Sequence, residues 1–370
     1  MTRIVYNEQK GFCVGMGSIR QVLGRRGRPL VKSVGFEQLP WDDVFLESGE
    51  DDADNEVEDP MKKLTKSERK EKRLQKKVNA ARRRKLQREQ ENAGDSSAGD
   101  SVGDGSSYAT TTNLKRVYNK ILTLSGESRS HDCKLFQYHS TAVYRSDLDL
   151  LWPEEWLNDN NISLMFELIY QNFLKPKLDL HKFNHQVQLL NPSLVQLFLH
   201  FPPDNIEAIL PLDDLKDLKF IFLPINFIDN DNIDFEDVNN GDHWSLALFS
   251  VLENRLYVYD SMNINDDDAE KEWLGELTTR LSSCKSIVKG NKKIDVVKML
   301  CDQQDNFDDC GVYLIMIACY LVKQLLFHDE EQNTNDGITI DLDIGNVRFN
   351  ATAGRLYMME LIYKLYRSIE

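Results

Sequence analysis

The chain predicts an α+β fold, a small sheet containing an antiparallel hairpin and packed by helices. Two observations predict it. Stretches with helical spacing or continuous apolar character, around 159–173 and 310–327, alternate with short apolar runs of strand character at 220–225, 243–249 and 255–260. The last two runs flank Glu253-Asn254, a natural turn, and so read as a hairpin.

Composition sets the limits of the folded part. The 370 residues are 41% hydrophobic, enough for one sizeable core with a substantial tail or for two modest domains. The net charge of −15 is unevenly spread: Met61 to Gln90 holds 14 Lys/Arg against three Glu. A basic segment therefore adjoins an acidic remainder. Residues 1–115 read as a low-complexity region. Within it, 24–29 (Gly-Arg-Arg-Gly-Arg-Pro) has the core of a minor-groove hook, 47–59 is acidic, 61–92 is basic and helix-prone, and 93–113 is a Ser/Gly-rich linker. The folded domain is expected at 116–370. Cys13, Cys133, Cys284, Cys301, Cys310 and Cys319 show no CxxC or Cys/His metal spacing, and no apolar leader is visible, which points to free thiols in a reducing compartment. The apolar run Leu314–Val322 is far short of the roughly 20 residues of a membrane span. No metal or cofactor, no membrane contact and a monomer are expected.

Within the domain, Asn158 or Asp159 can cap a helix whose apolar face is Ile162, Met165, Phe166, Ile169 and Phe173, closed by Pro176. Asn191 and Pro192 start a second helix to Leu199. Phe220–Ile225 is a strand that Pro224 should end at an edge or bulge. An acidic loop, 229–242, leads into the hairpin. Helical content at 270–281, a short strand at 296–300, a buried helix at 310–327 and an amphipathic helix at 356–369 complete the order.

The chemistry gathers at Asp302-Gln303-Gln304-Asp305-Asn306-Phe307-Asp308-Asp309-Cys310-Gly311. A polar loop ends in a cysteine where a long apolar helix begins. Unpaired N–H groups and the dipole at a helix start favour thiolate, the nucleophilic form. Most cysteines are small buried hydrophobes, and Cys319 inside the apolar run fits that description. Cys310 differs in its polar approach and its following glycine. The hairpin offers partners: His243 opens one strand and Asp260 closes the next, so an antiparallel pairing brings a general base towards a carboxylate that fixes its tautomer. The arms are unequal, which leaves the register loose. Gln304 can turn a side-chain amide towards an oxyanion, together with the N–H of Cys310.

His243-Trp244, Tyr259-Asp260-Ser261, Gln304-x-Asn306-x-x-Asp309-Cys310-Gly311 and Trp156-Leu157-Asn158-Asp159 resemble, in order, the motifs of the ubiquitin-like-protein-specific cysteine proteases, the Ulp/sentrin-specific group. Leu223-Pro224-Ile225-Asn226 before His243-Trp244-Ser245-Leu246 looks most like the deneddylase branch, which acts on the Nedd/Rub modifier. The resemblance covers about residues 130–370. It implies a papain-like fold with permuted order (His, Asp, Cys). It also implies a catalytic set of His243, Asp260 and Cys310 with Gln304 at the oxyanion. The implied substrate is the Gly-Gly tail of a ubiquitin-like modifier, Nedd/Rub first and SUMO second. By motif match, Trp156 and Trp244 would wall the tunnel for that tail, and Asp159 would bind the modifier's basic C-terminal strand.

Two features depart from the family pattern. Asp308 beside Asp309 adds negative charge close to Cys310, which works against thiolate formation, and the loop at 228–242 is long and acidic. Two rivals stand beside the protease reading: an acyltransferase on the same scaffold, and a nucleic-acid-binding protein with an inert protease-like domain. The basic residues 61–92 would serve an import receptor or nucleic acid, and they predict residence in the nucleus as well as the cytoplasm.

Overall fold

The computed structural model describes residues 4–7, 11–14, 45–47, 105–125, 133–175, 187–200, 218–227, 243–262, 268–285, 287–288, 293–327 and 342–369. The acidic stretch 47–59 (beyond Glu47), the basic segment 61–92, the hook-like 24–29 and the loop 228–242 lie outside the described residues.

The elements in chain order are β1 (Ile4–Asn7), β2 (Gly11–Val14), β3 (Phe45–Glu47), α1 (Gly105–Leu124), β4 (Lys134–Tyr138), β5 (Thr141–Tyr144), α2 (Arg145–Asp149) and α3 (Asp159–Ile169), which runs on through a π-helical turn (Tyr170–Leu174). Then come β6 (Val187–Leu189), α4 (Pro192–His200), β7 (Phe220–Phe227), β8 (His243–Ser250), β9 (Arg255–Tyr259), α5 (Asp268–Ser283), β10 (Asp295–Met299), α6 (Cys310–Phe327), β11 (Val347–Phe349) and α7 (Ala351–Ile369). This is the α+β class that the sequence predicts.

The main sheet has the order β10-β9-β8-β7-β6. Its centre is antiparallel, while β6 and β10 add parallel edges. Side chains alternate strictly across it. Phe220, Phe222, Leu246, Leu248, Tyr257 and Tyr259 enter one core with α3, α6 and α7. Ile221, Leu223, Ile225, Ala247, Phe249, Leu256 and Val258 enter the other, with α4 and α5. Burial on both faces explains why these strands read as near-continuous apolar runs. Likewise α6 is buried without interruption from Cys310 to Val322, as a helix apolar all round must be.

Some elements depart from expectation. β7 continues three residues past Pro224. Proline is tolerated there because β6 pairs only as far as Phe222, so the outer side of β7 at Pro224 has no ladder to serve. α1 begins inside the stretch expected to be linker, and β1 to β3 lie in the region read as low-complexity. β3 pairs antiparallel with β11. α7 starts at Ala351 rather than at Leu356, with Asn350 accepting the N–H of Ala353 through its side chain and that of Gly354 through its carbonyl. Gly354 explains the close seat of α7 on α6: a Cβ there would lie 3.0 Å from Met316 Sδ and from Val312 Cγ1.

Candidate active site

The turn of the β8–β9 hairpin occupies residues 251–254, with Asn254 in the left-handed region at φ 56°, a conformation asparagine tolerates. Leu246 faces Tyr259, so one step further Ser245 faces Asp260 and His243 becomes its diagonal neighbour on the same face. Side chains reach across such diagonals. The unequal arms therefore need no bulge. His243 Nε2 lies 2.7 Å from Asp260 Oδ1, and the ring is 3% exposed. Its plane stacks on Phe227 at 6.0 Å between centroids.

Burial opposes charge on this ring. The Asp260 carboxylate and then Cys310 overcome it, and the pKa of His243 is pushed up to about 10. Burial likewise opposes charge on Asp260, but His243, the N–H of Met262 and Lys298 win, so its carboxyl lies below the ordinary range. The N–H of Met262 donates to Asp260 Oδ1 at 2.9 Å. His243 Nδ1 is buried and, among the described residues, lies within hydrogen-bond distance of no partner, while Cys310 is near enough to favour the charged ring.

β10 delivers the chain to the nucleophile. It runs parallel to β9 with Met299 beside Tyr259, so Cys301 to Gln304 pass alongside Asp260. Gln303 Nε2 donates to the Asp260 carbonyl at 3.0 Å, and the Gln304 N–H donates to the Ser261 carbonyl at 2.8 Å. The Gln304 amide is then held at both ends. Its Oε1 accepts from the Ser261 hydroxyl at 2.7 Å, and its Nε2 donates to the Asn306 carbonyl at 2.8 Å. A carbonyl can only accept, so the orientation is fixed, and one N–H of Nε2 remains for a ligand. Asn306 folds the loop back: its Oδ1 accepts from the N–H groups of Asp308 and Asp309. Cys310, 4% exposed, then opens α6, with its N–H among the donors that a helix start leaves free.

The negative charge of Asp308 and Asp309 is answered. Asp309 Oδ1 lies 2.8 Å from Arg355 Nε and 2.7 Å from Arg355 Nη2, and its Oδ2 accepts from Asn306 at 2.7 Å. Asp308 Oδ1 accepts from Trp156 Nε1 at 3.2 Å. The sequence reading missed Arg355. The available signal was an arginine that is the first charge of its helix, set among Ala, Gly, Leu, Tyr and Met before Glu360.

The structure also gathers the remaining sequence-predicted residues. Asn158 is the N-cap of α3, accepting from the N–H of Asn161 at 2.9 Å. Buried Asp147 fixes this corner by accepting from Asn158 and Asn160 side chains. Asp159 follows in the first turn, half-buried. Desolvation raises its pKa, and it has no side-chain partner among the described residues. Trp244 Nε1 donates to the Leu157 carbonyl at 2.9 Å, so the strand carrying His243 is tied to the residue after Trp156. Gly311 permits this closeness: a Cβ there would lie 2.9 Å from Leu157 Cβ and 3.3 Å from Trp244 Cδ1. Among the described residues no group of His, Cys, Asp and Glu is arranged to hold a metal, and no helix is long and apolar enough to cross a membrane. Chemically, the arrangement is a thiol at a helix start, a carboxylate-held imidazole and two N–H donors beside them, the parts of a thiol acyl-transfer site.

Comparison with known proteins agrees with this chemistry. The chain is 30% identical over 208 residues to the probable sentrin-specific protease 8 of Dictyostelium discoideum, covering 55% of this chain and 81% of that protein. It is 31% identical over 196 residues to the NEDD8-specific protease 2 of Schizosaccharomyces pombe, covering 51% of this chain and 42% of that one. A solved structure of the SUMO protease Ulp1 is 17% identical, covers 74% of this chain and all of that one, and superposes with a TM-score of 0.46. Residues 155–340 match the model of the Ulp1 protease family, C-terminal catalytic domain. That span contains Trp156, Asp159, His243, Trp244, Asp260, Gln304 and Cys310 but neither Asp147 nor Arg355, and the chain belongs to the Ulp1 family of cysteine peptidases.

Proposed function

We propose that the protein hydrolyses the bond after the C-terminal Gly-Gly of a ubiquitin-like modifier, Nedd/Rub in the first place and SUMO in the second, either releasing the modifier from conjugates or maturing its precursor. The observation that carries this reading is the His243–Asp260 pair acting on Cys310 at the start of α6. The relative named as a NEDD8-specific protease favours Nedd/Rub.

In this reading the Cys310 thiolate attacks the terminal glycine carbonyl. The oxyanion accepts from the free N–H of Gln304 Nε2 and from the N–H of Cys310. The protonated His243 gives its proton to the leaving amine as the C–N bond breaks, which leaves a thioester on Cys310. His243, now neutral, takes a proton from water as the water's oxygen attacks the thioester. The thiolate departs, and the modifier's new carboxyl gives the second water proton to solvent and leaves as a carboxylate. Asp260 holds the ring throughout. Trp156 and Trp244 would flank a tail whose glycines carry no side chains, and Asp159, a desolvated carboxylate without a partner among the described residues, would receive a basic side chain of the modifier.

Fluorogenic C-terminal derivatives of Nedd, SUMO and ubiquitin test the reading. Turnover is expected with Nedd above SUMO, and none with Cys310→Ala. Equal turnover by Cys310→Ala would remove it. Residues 61–92 are proposed to direct the protein to the nucleus as well as the cytoplasm, and a fluorescent fusion of that segment excluded from the nucleus would reject this.

A further inference from the structure

We infer that Arg355 is a positioning residue for the peptidase reaction: it clamps the loop that ends in the nucleophile to the loop that ends in Trp156, and it cancels the charge of Asp309 beside Cys310. The inference rests on Cys310 being the nucleophile.

Arg355 is 1% exposed. Arginine has five N–H donors in a rigid fork and no acceptor, and here the whole fork is engaged. Nη1 donates to the carbonyls of Leu150 at 3.1 Å and Trp152 at 2.9 Å. Nη2 donates to the carbonyls of Glu155 at 2.8 Å and Asp308 at 3.0 Å. Nε donates to Asp309 Oδ1 at 2.8 Å. Three of these partners belong to the stretch that leads into Trp156, and two belong to the residues immediately before Cys310. The Trp156–Asp308 hydrogen bond spans the same two loops. Gly354, pressed against Val312 and Met316, places the guanidinium beneath the first turns of α6. One side chain thus sets the distance between the reacting sulfur and the tryptophan expected to receive the substrate's tail.

The charges around the start of α6 are His243 from β8, Asp260 after β9, Asp302, Asp305, Asp308 and Asp309 from the loop itself, with Arg348 at 3.6 Å from Asp302, and Arg355 from α7. Remove the guanidinium and Asp309 remains as a buried anion next to a thiol that must itself become anionic. The positioning and charge roles separate by substitution. Arg355→Lys keeps the charge and loses the fork. Arg355→Met loses both. Arg355→Met with Asp309→Asn restores the charge balance without the fork.

The experiment measures kcat and KM on the preferred fluorogenic modifier, and the pH profile of Cys310 alkylation by iodoacetamide, with Cys310→Ala as the zero. Arg355→Lys should lower kcat/KM about tenfold with the alkylation profile of the parent. Arg355→Met should lower kcat/KM by about a hundredfold or more and move alkylation to higher pH. Adding Asp309→Asn should return the alkylation profile but not kcat/KM. A folded Arg355→Met with the parent's kcat/KM and profile overturns the inference. Should Arg355→Met not fold, parental kcat/KM in Arg355→Lys overturns it. Activity that persists in Cys310→Ala would instead reject Cys310 as the nucleophile and leave the clamp a purely structural feature.

Discussion

Burial alone would strip the proton from His243, and Asp260 reverses that outcome. The sign of the consequence is definite. The folded pKa is raised to about 10, so the stabilisation from the charged ring is complete below about pH 6.5 and is lost as the pH climbs through about 10. Asp260 is shifted down, so its contribution is present above the ordinary carboxylate range and lost as the pH falls below it. Urea midpoints between about pH 6 and 10 should therefore decline for the parent. Asp260→Asn should be less stable at neutral pH and nearly flat above it, with kcat reduced about 10²- to 10⁴-fold. At this scale His243, Asp260, Gln304 and Cys310 were legible because each carries its own chemistry and they recur in a known order. Arg355 was not legible, because its meaning lies in carbonyls some 200 residues away in the chain. Nothing in the type of a residue records what its distant neighbours lack. The doubt raised by two aspartates beside the nucleophile dissolved for the same reason.

Elements tell a different story. α6 and the hairpin were readable from periodicity, since a wholly apolar helix and two apolar strands with a turn have few alternative uses. The extent of β7 was not, because whether proline ends a strand depends on how far its neighbour reaches, and β6 is only three residues long. The contact of α6 with the Leu157 segment gives a prediction with an informative sign. Replacing a helical glycine by alanine usually stabilises, by about 1 kcal/mol. Gly311→Ala should instead destabilise, by about 1–3 kcal/mol, because the new methyl meets Leu157 Cβ and Trp244 Cδ1. Chemical denaturation measures the difference. A stabilised variant would show that the two segments can part freely. Because the same methyl sits beside Cys310, kcat should fall as well.

For the molecule as a whole, net charge decides how a partner arrives. A chain at −15 attracts a basic modifier tail through solvent, and such attraction is screened by salt. KM for the fluorogenic modifier should rise between about 0.05 and 0.5 M NaCl while kcat changes little. Asp159→Asn should raise KM and flatten that salt dependence. A salt-independent KM would remove the electrostatic reading of Asp159. The asymmetry of charge along the chain was plain from composition. Composition did not disclose α1 within the expected linker or the pairing of β3 with β11, since both depend on partners far along the sequence.

The clamp made by α7 has a consequence for biosynthesis. The thiol, imidazole and carboxylate are all translated before residue 311, yet the guanidinium that joins the Cys310 loop to the Trp156 loop follows at residue 355. A nascent chain that has exposed Cys310 therefore still carries an unassembled site. Until α7 has left the ribosome the two loops stand unclamped, so an emerging chain should react far more slowly than the closed fold.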